Sequence, residues 1–209
     1  RSAGSVRWKR QVTAMRNISI MIVGVGGQGT LLTSRVLGAA AVKAGYDVKM
    51  SEVHGMAQRG GSVITYVRIG ENVNSPIIEK GEADILLCFE KLEALRWIEY
   101  AKKDGAVIIN DQQIDPMPVI IGKAKYPEGI VEKIRSAFTN VCTINALDAA
   151  KKLGNIKALN IVMLGLMARS IGIDIETWHE AIRETVKEKF VDLNLKAFDE
   201  GYQMAECML

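Results

Sequence analysis

Residues 17–44 read NISIMIVGVGGQGTLLTSRVLGAAAVKA, and this stretch decides the fold. Asn17 to Val23 is a short β-rich apolar run, Gly24 to Gly29 is a glycine loop, and Thr30 to Ala44 has the small, apolar face of a packed helix. Gly45 stands where a glycine ends a helix, and Asp47 to Val53 reads as a second strand, so the segment predicts a β-α-β unit. Gly24, Gly26 and Gly29 satisfy G-x-G-x-x-G between strand and helix. There glycines permit a tight turn and close packing, and the free amides at the helix start favour an anion. Glu52, near the end of the second strand, stands roughly where a ribose-binding acid would. Two features weigh against a nucleotide site: Gly27 and Gln28 depart from ordinary dehydrogenase fingerprints, and no second mononucleotide-binding half follows. A structural turn, an anion contact and a partner contact stay open beside it.

Downstream, Ser62 to Ile69 alternates as a strand, with Val63, Thr65, Val67 and Ile69 on one side, before a turn at Gly70 to Asn72 and a short return. Ala83 to Phe89 is a continuous apolar run of the kind buried in parallel sheets, and Glu90 to Lys102 follows with helical spacing at Leu92, Leu95 and Ile98. Gly105 to Asn110 reads as another buried strand, Val119 to Ile121 as a short edge strand, and Glu128 to Ala137 as a helix. Helical patterns then fill 146–153, 157–170, 175–189 and 191–208, broken by Gly154 and Gly172. The expected class is α/β: a Rossmann-like, mostly parallel sheet flanked by helices, with a helical C-terminal third.

Residues 15–209 are expected to form a single domain, since 209 residues at 48% hydrophobic content suffice for one sizeable core. Residues 1–14 carry Arg1, Arg7, Lys9 and Arg10 without an acid and show no periodicity, which marks a tag remnant or loose tail. Without them the net charge of +3 becomes close to neutral, and no aromatic-interleaved basic patch suggests nucleic acid. Cys88, Cys142 and Cys207 are too scattered for a disulfide framework or a cluster motif. No apolar stretch has membrane-spanning length and no signal pattern precedes Met15, so a cytoplasmic protein is expected, without membrane attachment.

Among polar candidates, His54 follows Glu52 by two positions, so the pair could move protons, although an ordinary loop hydrogen bond explains His54 as well. Arg59, between Gln58 and Gly60, suits a bidentate grip on a carboxylate or phosphate, and equally an interface ion pair. His179 reads as surface or packing. No nucleophile elbow, histidine metal pair, Walker lysine, cysteine cluster or Gly-Asp-Gly thiamine motif occurs, so no catalytic or metal-ligating residue is assigned.

The G-x-G-G-Q-G form at Gly24, Gly26, Gly27, Gln28 and Gly29 and the run from Glu52 through His54, Gln58 and Arg59 to Val63 carry a resemblance. Ala83 to Leu87, Phe89-Glu90, Glu93 to Arg96, Tyr126-Pro127, Asn194 and Ala197 to Asp199 extend it from about Met15 to the C-terminus. Together they resemble the gamma-type subunit of 2-oxoacid:ferredoxin oxidoreductases, and within that family most nearly the beta subunit of indolepyruvate enzymes. The resemblance implies a chain that bears no cofactor itself and docks on a large alpha subunit. That partner would hold thiamine diphosphate with Mg and the [4Fe-4S] clusters, use CoA as co-substrate and pass electrons to ferredoxin. The glycine loop and a second loop, from Glu52 to Gly61, would then face the partner's reaction cavity. A stand-alone dinucleotide-binding oxidoreductase and a purely structural assembly subunit are the alternative readings.

Overall fold

The computed structural model describes residues 17–55 and 60–205. Six strands form one sheet in the order β2-β3-β1-β4-β5-β6. They are β1 (Ile18–Val25), β2 (Asp47–His54), β3 (Ser62–Gly70), β4 (Ala83–Cys88), β5 (Ala101–Asn110) and β6 (Val141–Ile144). β1, β4, β5 and β6 run parallel, while β3 is antiparallel to both β1 and β2. The α/β class and the mostly parallel sheet therefore stand. The expected tail at 1–14 lies outside the described residues.

The β-α-β unit is present, β1 and β2 being joined by α1 (Thr30–Lys43), but its two strands are not neighbours. β3 pairs with each and separates them, with Thr65 facing Ile22 on one side and Glu52 on the other. The remaining helices are α2 (Lys91–Trp97), α3 (Met117–Ile120), α4 (Ile130–Ala137), α5 (Ala146–Lys152), α6 (Leu159–Ala168), α7 (Ile175–Thr185) and α8 (Val191–Met204).

Several local expectations are corrected. The return after Gly70 is irregular chain, held where the Asp47 carboxylate accepts from Val73 N at 2.9 Å. α2 stops at Trp97, one 3₁₀ turn follows, and Ala101 already belongs to β5, because Ala101 finds a strand partner in Ala83. The proposed edge strand at 119–121 is instead helical. Pro116 caps α3, and the Ile120 and Ile121 amides bond back to Pro116 and Met117. The edge strand on this side of the sheet is β6, whose four residues are too short for periodicity to reveal.

Strand parity divides the core. Ile20, Ile22, Val67, Ile69, Ile85, Leu87 and Ile108 face α1 and the C-terminal helices. Met21, Val23, Ile64, Leu86, Cys88, Val107 and Ile109 face α2 and α4. Every residue of α6 is buried, and it crosses α8 so closely that a Cβ on Gly165 would sit 2.1 Å from Phe198 O and one on Gly201 2.0 Å from Val162 O. Two glycines thus let one helix backbone rest on another, and bury α6 beneath the C-terminal surface. Among the described residues, no helix is long and apolar enough to cross a membrane.

Candidate functional site

The connection after β1 leads to α1 on one face of the sheet, and that after β4 leads to α2 on the other. Their carboxyl ends thus define the switch point where open α/β sheets usually bind ligands. The glycine loop lies there. Gly29 adopts φ +86° at the start of α1, and a Cβ at this position would meet Asn160 Nδ2 of α6 at 2.7 Å. Asn160 is buried and donates to Gly29 O at 3.3 Å, so the α1 N-terminus is braced by a helix from the C-terminal third.

Gln28 closes the crevice. Its Oε1 accepts from Val25 N at 2.8 Å, and its Nε2 donates to Phe89 O at 2.9 Å and to Gln112 Oε1 at 3.2 Å. Gly24 makes room, since a Cβ there would lie 3.0 Å from both Gln28 Oε1 and Phe89 Cβ. Asn110, fully buried at the end of β5, donates to the same Phe89 carbonyl and to Gln112 Oε1, and accepts from Ala146 N. An uncharged amide network therefore joins the ends of β1, β4 and β5. A nucleotide entering in the dehydrogenase manner would have to displace Gln28 from these partners.

The structure brings the glycine loop against the end of the second loop. Gly26 N donates to Gly61 O at 2.8 Å, and Gly60 N to Gly26 O at 3.5 Å. Gly27, at φ +103°, is exposed and faces open space. Glu52 and His54 share a face of edge strand β2 but do not pair. Glu52 Oε2 accepts from Thr65 Oγ1 at 3.2 Å, and exposed His54 meets the Gly55 carbonyl through Nδ1 at 3.4 Å. Glu52 stands two strands from β1, roughly 10 Å across the sheet. Gln58 and Arg59 lie outside the described residues.

Two buried carboxylates support this rim. Glu90 caps α2 by accepting from Glu93 N at 2.9 Å, and also accepts from Ile114 N at 3.1 Å and from the Tyr126 hydroxyl. Burial, with the Glu90 carboxylate beside it, pushes the Tyr126 phenol far above its ordinary value. Glu93 accepts from Ser62 Oγ at 2.5 Å, Arg96 at 2.9 Å and Trp97 Nε1 at 3.3 Å, and so fixes the residue at which the second loop rejoins the sheet. Asn110, Gln112, Glu90, Glu93 and Asn160 were not predicted as site residues. Asn110, Glu90 and Asn160 offered a signal, polarity at one end of an apolar run; Glu93, inside α2, and Gln112, in a polar stretch, offered none.

Residues 19–204 match the pyruvate ferredoxin/flavodoxin oxidoreductase family. The chain belongs to that family. It is 46% identical over 192 residues to the indolepyruvate oxidoreductase subunit IorB of Archaeoglobus fulgidus, covering 90% of this chain and 95% of that one. The gamma subunit of a keto/oxoacid ferredoxin oxidoreductase from Geobacter sulfurreducens has the same fold, with a TM-score of 0.69 at 26% identity over 91% of this chain and 99% of that one. A ketoisovalerate oxidoreductase subunit VorA of Methanothermobacter thermautotrophicus is 31% identical over 90% of this chain, which there makes up only 36% of the polypeptide. The expected family and the expected role as one subunit of a 2-oxoacid:ferredoxin oxidoreductase therefore stand.

Proposed function

We propose that this chain is the small subunit of an oxidoreductase that converts indolepyruvate and related arylpyruvates to acyl-CoA, with residues 15–209 acting as one domain. The observation that carries the reading is its near end-to-end similarity to an indolepyruvate oxidoreductase subunit. The larger subunit supplies thiamine diphosphate with magnesium and the [4Fe-4S] clusters, accepts CoA and hands electrons to ferredoxin in the cytoplasm. VorA supports such a partner, because there the equivalent of this chain is continuous with further polypeptide.

In this reading Gly26, Gly27 and Gly29 face the larger subunit together with the stretch bearing Gln58 and Arg59, while buried Gly24 and the Gln28 amide shape the glycine loop from beneath. The two loops meet at Gly26 and Gly61; the uncharged amide network beneath holds the glycine loop, and the Glu93 carboxylate holds the end of the second through Ser62. Glu52 and His54 line the outer flank, and Arg59 supplies a cation for a substrate carboxylate or a CoA phosphate. The stand-alone dinucleotide reading loses support from Gln28, whose carboxamide fills the crevice at the end of β1.

The test is to purify this chain with and without the co-expressed larger subunit and assay each with indolepyruvate, CoA and an artificial electron acceptor. Turnover is expected from the complex and not from the separate chain. Full activity of the larger subunit alone, or NAD-dependent turnover by this chain alone, would overturn the proposal.

A further inference from the structure

The connection from β5 to α4 carries a feature that the amide network does not explain. Met117, Ile120 and Ile121 are 65%, 65% and 54% exposed, so three large aliphatic side chains within five residues project into solvent. Such a cluster costs solubility unless another surface covers it.

The segment around them is not loose chain. Ile121 N bonds to Met117 O, Gly122 N to Val119 O and Lys123 N to Pro118 O, with Gly122 at φ +72° closing the helical turn. Both ends are pinned to one carboxylate, since buried Glu90 accepts from Ile114 N on one side and from the Tyr126 hydroxyl on the other. The turn is therefore ordered before anything binds it, which lowers the entropic cost of association. It stands at the same end of the sheet as the glycine loop, to which Gln112 ties its base through Gln28.

We infer that the α3 turn is a preformed apolar knob that inserts into a hydrophobic socket on the larger subunit. The proposal rests on the small-subunit reading above. The occupant is the larger subunit because relatives of this chain exist as part of a longer polypeptide, so a large neighbouring body belongs to the family's architecture. The knob is also continuous with the rim assigned to that partner. From Met117 to Tyr126 there are two lysines, Lys123 and Lys125, and no acid, so the socket is expected to have an acidic border.

The test uses the co-expressed complex and the double variant Met117→Asp/Ile120→Asp, with Val42→Asp as control. Val42 is 61% exposed at the far end of α1, away from the rim. The double variant is expected to keep the wild-type melting temperature while its association with the larger subunit weakens roughly tenfold or more. The control is expected to associate normally. Unchanged association of a folded double variant would overturn the knob while leaving the small-subunit reading intact. Failure of the wild-type chain to bind the larger subunit would overturn both. Loss of self-association by the double variant, with binding to the larger subunit intact, would assign the knob to a second copy of this chain and overturn the proposal.

Discussion

Gln28 Nε2 donates to the carbonyl of Phe89 across 2.9 Å, and this bond ties the loop after β1 to the end of β4 at the switch point of the sheet. The side chain also accepts from Val25 N and donates to Gln112, so its amide group is spent on the protein itself. Replacing it with Met keeps length and removes all three bonds. Gln28→Met is expected to lower stability by about 1–3 kcal/mol, because the amide of buried Val25 loses its acceptor while the Phe89 carbonyl keeps only Asn110 as a side-chain donor. Chemical denaturation checks this, and an unchanged midpoint would show that the carboxamide does not staple the strands.

Gly201 poses a contest of two effects. Alanine is the better helix former by about 1 kcal/mol. Yet its Cβ would lie 2.0 Å from Val162 O, so α6 and α8 must move apart, and forced repacking commonly costs about 1–3 kcal/mol. The clash is with backbone, which cannot rotate away. Gly201→Ala is therefore expected to lower the melting temperature, and a rise in a thermal scan would contradict the close crossing.

Tyr126 should give the protein an alkaline limb. Its phenol is held above the usual value of 10.0, chiefly by burial and then by Glu90, so the folded state favours the protonated form. That contribution is complete below pH 10 and is lost as pH rises beyond it. Tyr126→Phe is expected to be less stable than wild type at neutral pH and to show a flatter decline above pH 10. Parallel curves for the two proteins in pH-dependent denaturation would rule Tyr126 out as the source.

Cys88 should be inert while the chain is folded. Burial pushes its thiol well above the ordinary range, and the nearby Glu93 and Glu90 carboxylates act in the same direction. Alkylation at mildly alkaline pH, read by peptide mass mapping, is expected to leave Cys88 unmodified in native protein and to label it after unfolding. Rapid native labelling would mean that β4 opens readily.

Much of the fold was legible in local patterns. The apolar run into β1, the glycine loop and the small-faced α1 are short-range signals, and β4 declared itself as a buried strand from Ala83 onward. The failures occurred where local pattern and tertiary partner disagreed. Helical spacing through Ile98 did not show that Ala101 would pair with Ala83, and the aliphatic run at 119–121 did not show that Pro116 would start a helical turn. β6 carries four residues, too few for any period to appear.

The candidate site divides in the same way. The sequence by itself determined the glycine loop, the second loop that rejoins β3 and the family they resemble, because glycine spacing and residue identity are properties of the chain. Only the tertiary structure decided what Gln28 does, since its partners Phe89 and Gln112 lie 61 and 84 residues away. The same holds for Asn160 against Gly29, for Glu90 gripping both ends of the α3 connection, and for the insertion of β3 between β1 and β2. The physical reason is common to all of them. A buried polar group must find a partner wherever folding brings one within reach, and strand order depends on which edge offers the matching face, neither of which is written in the neighbouring residues.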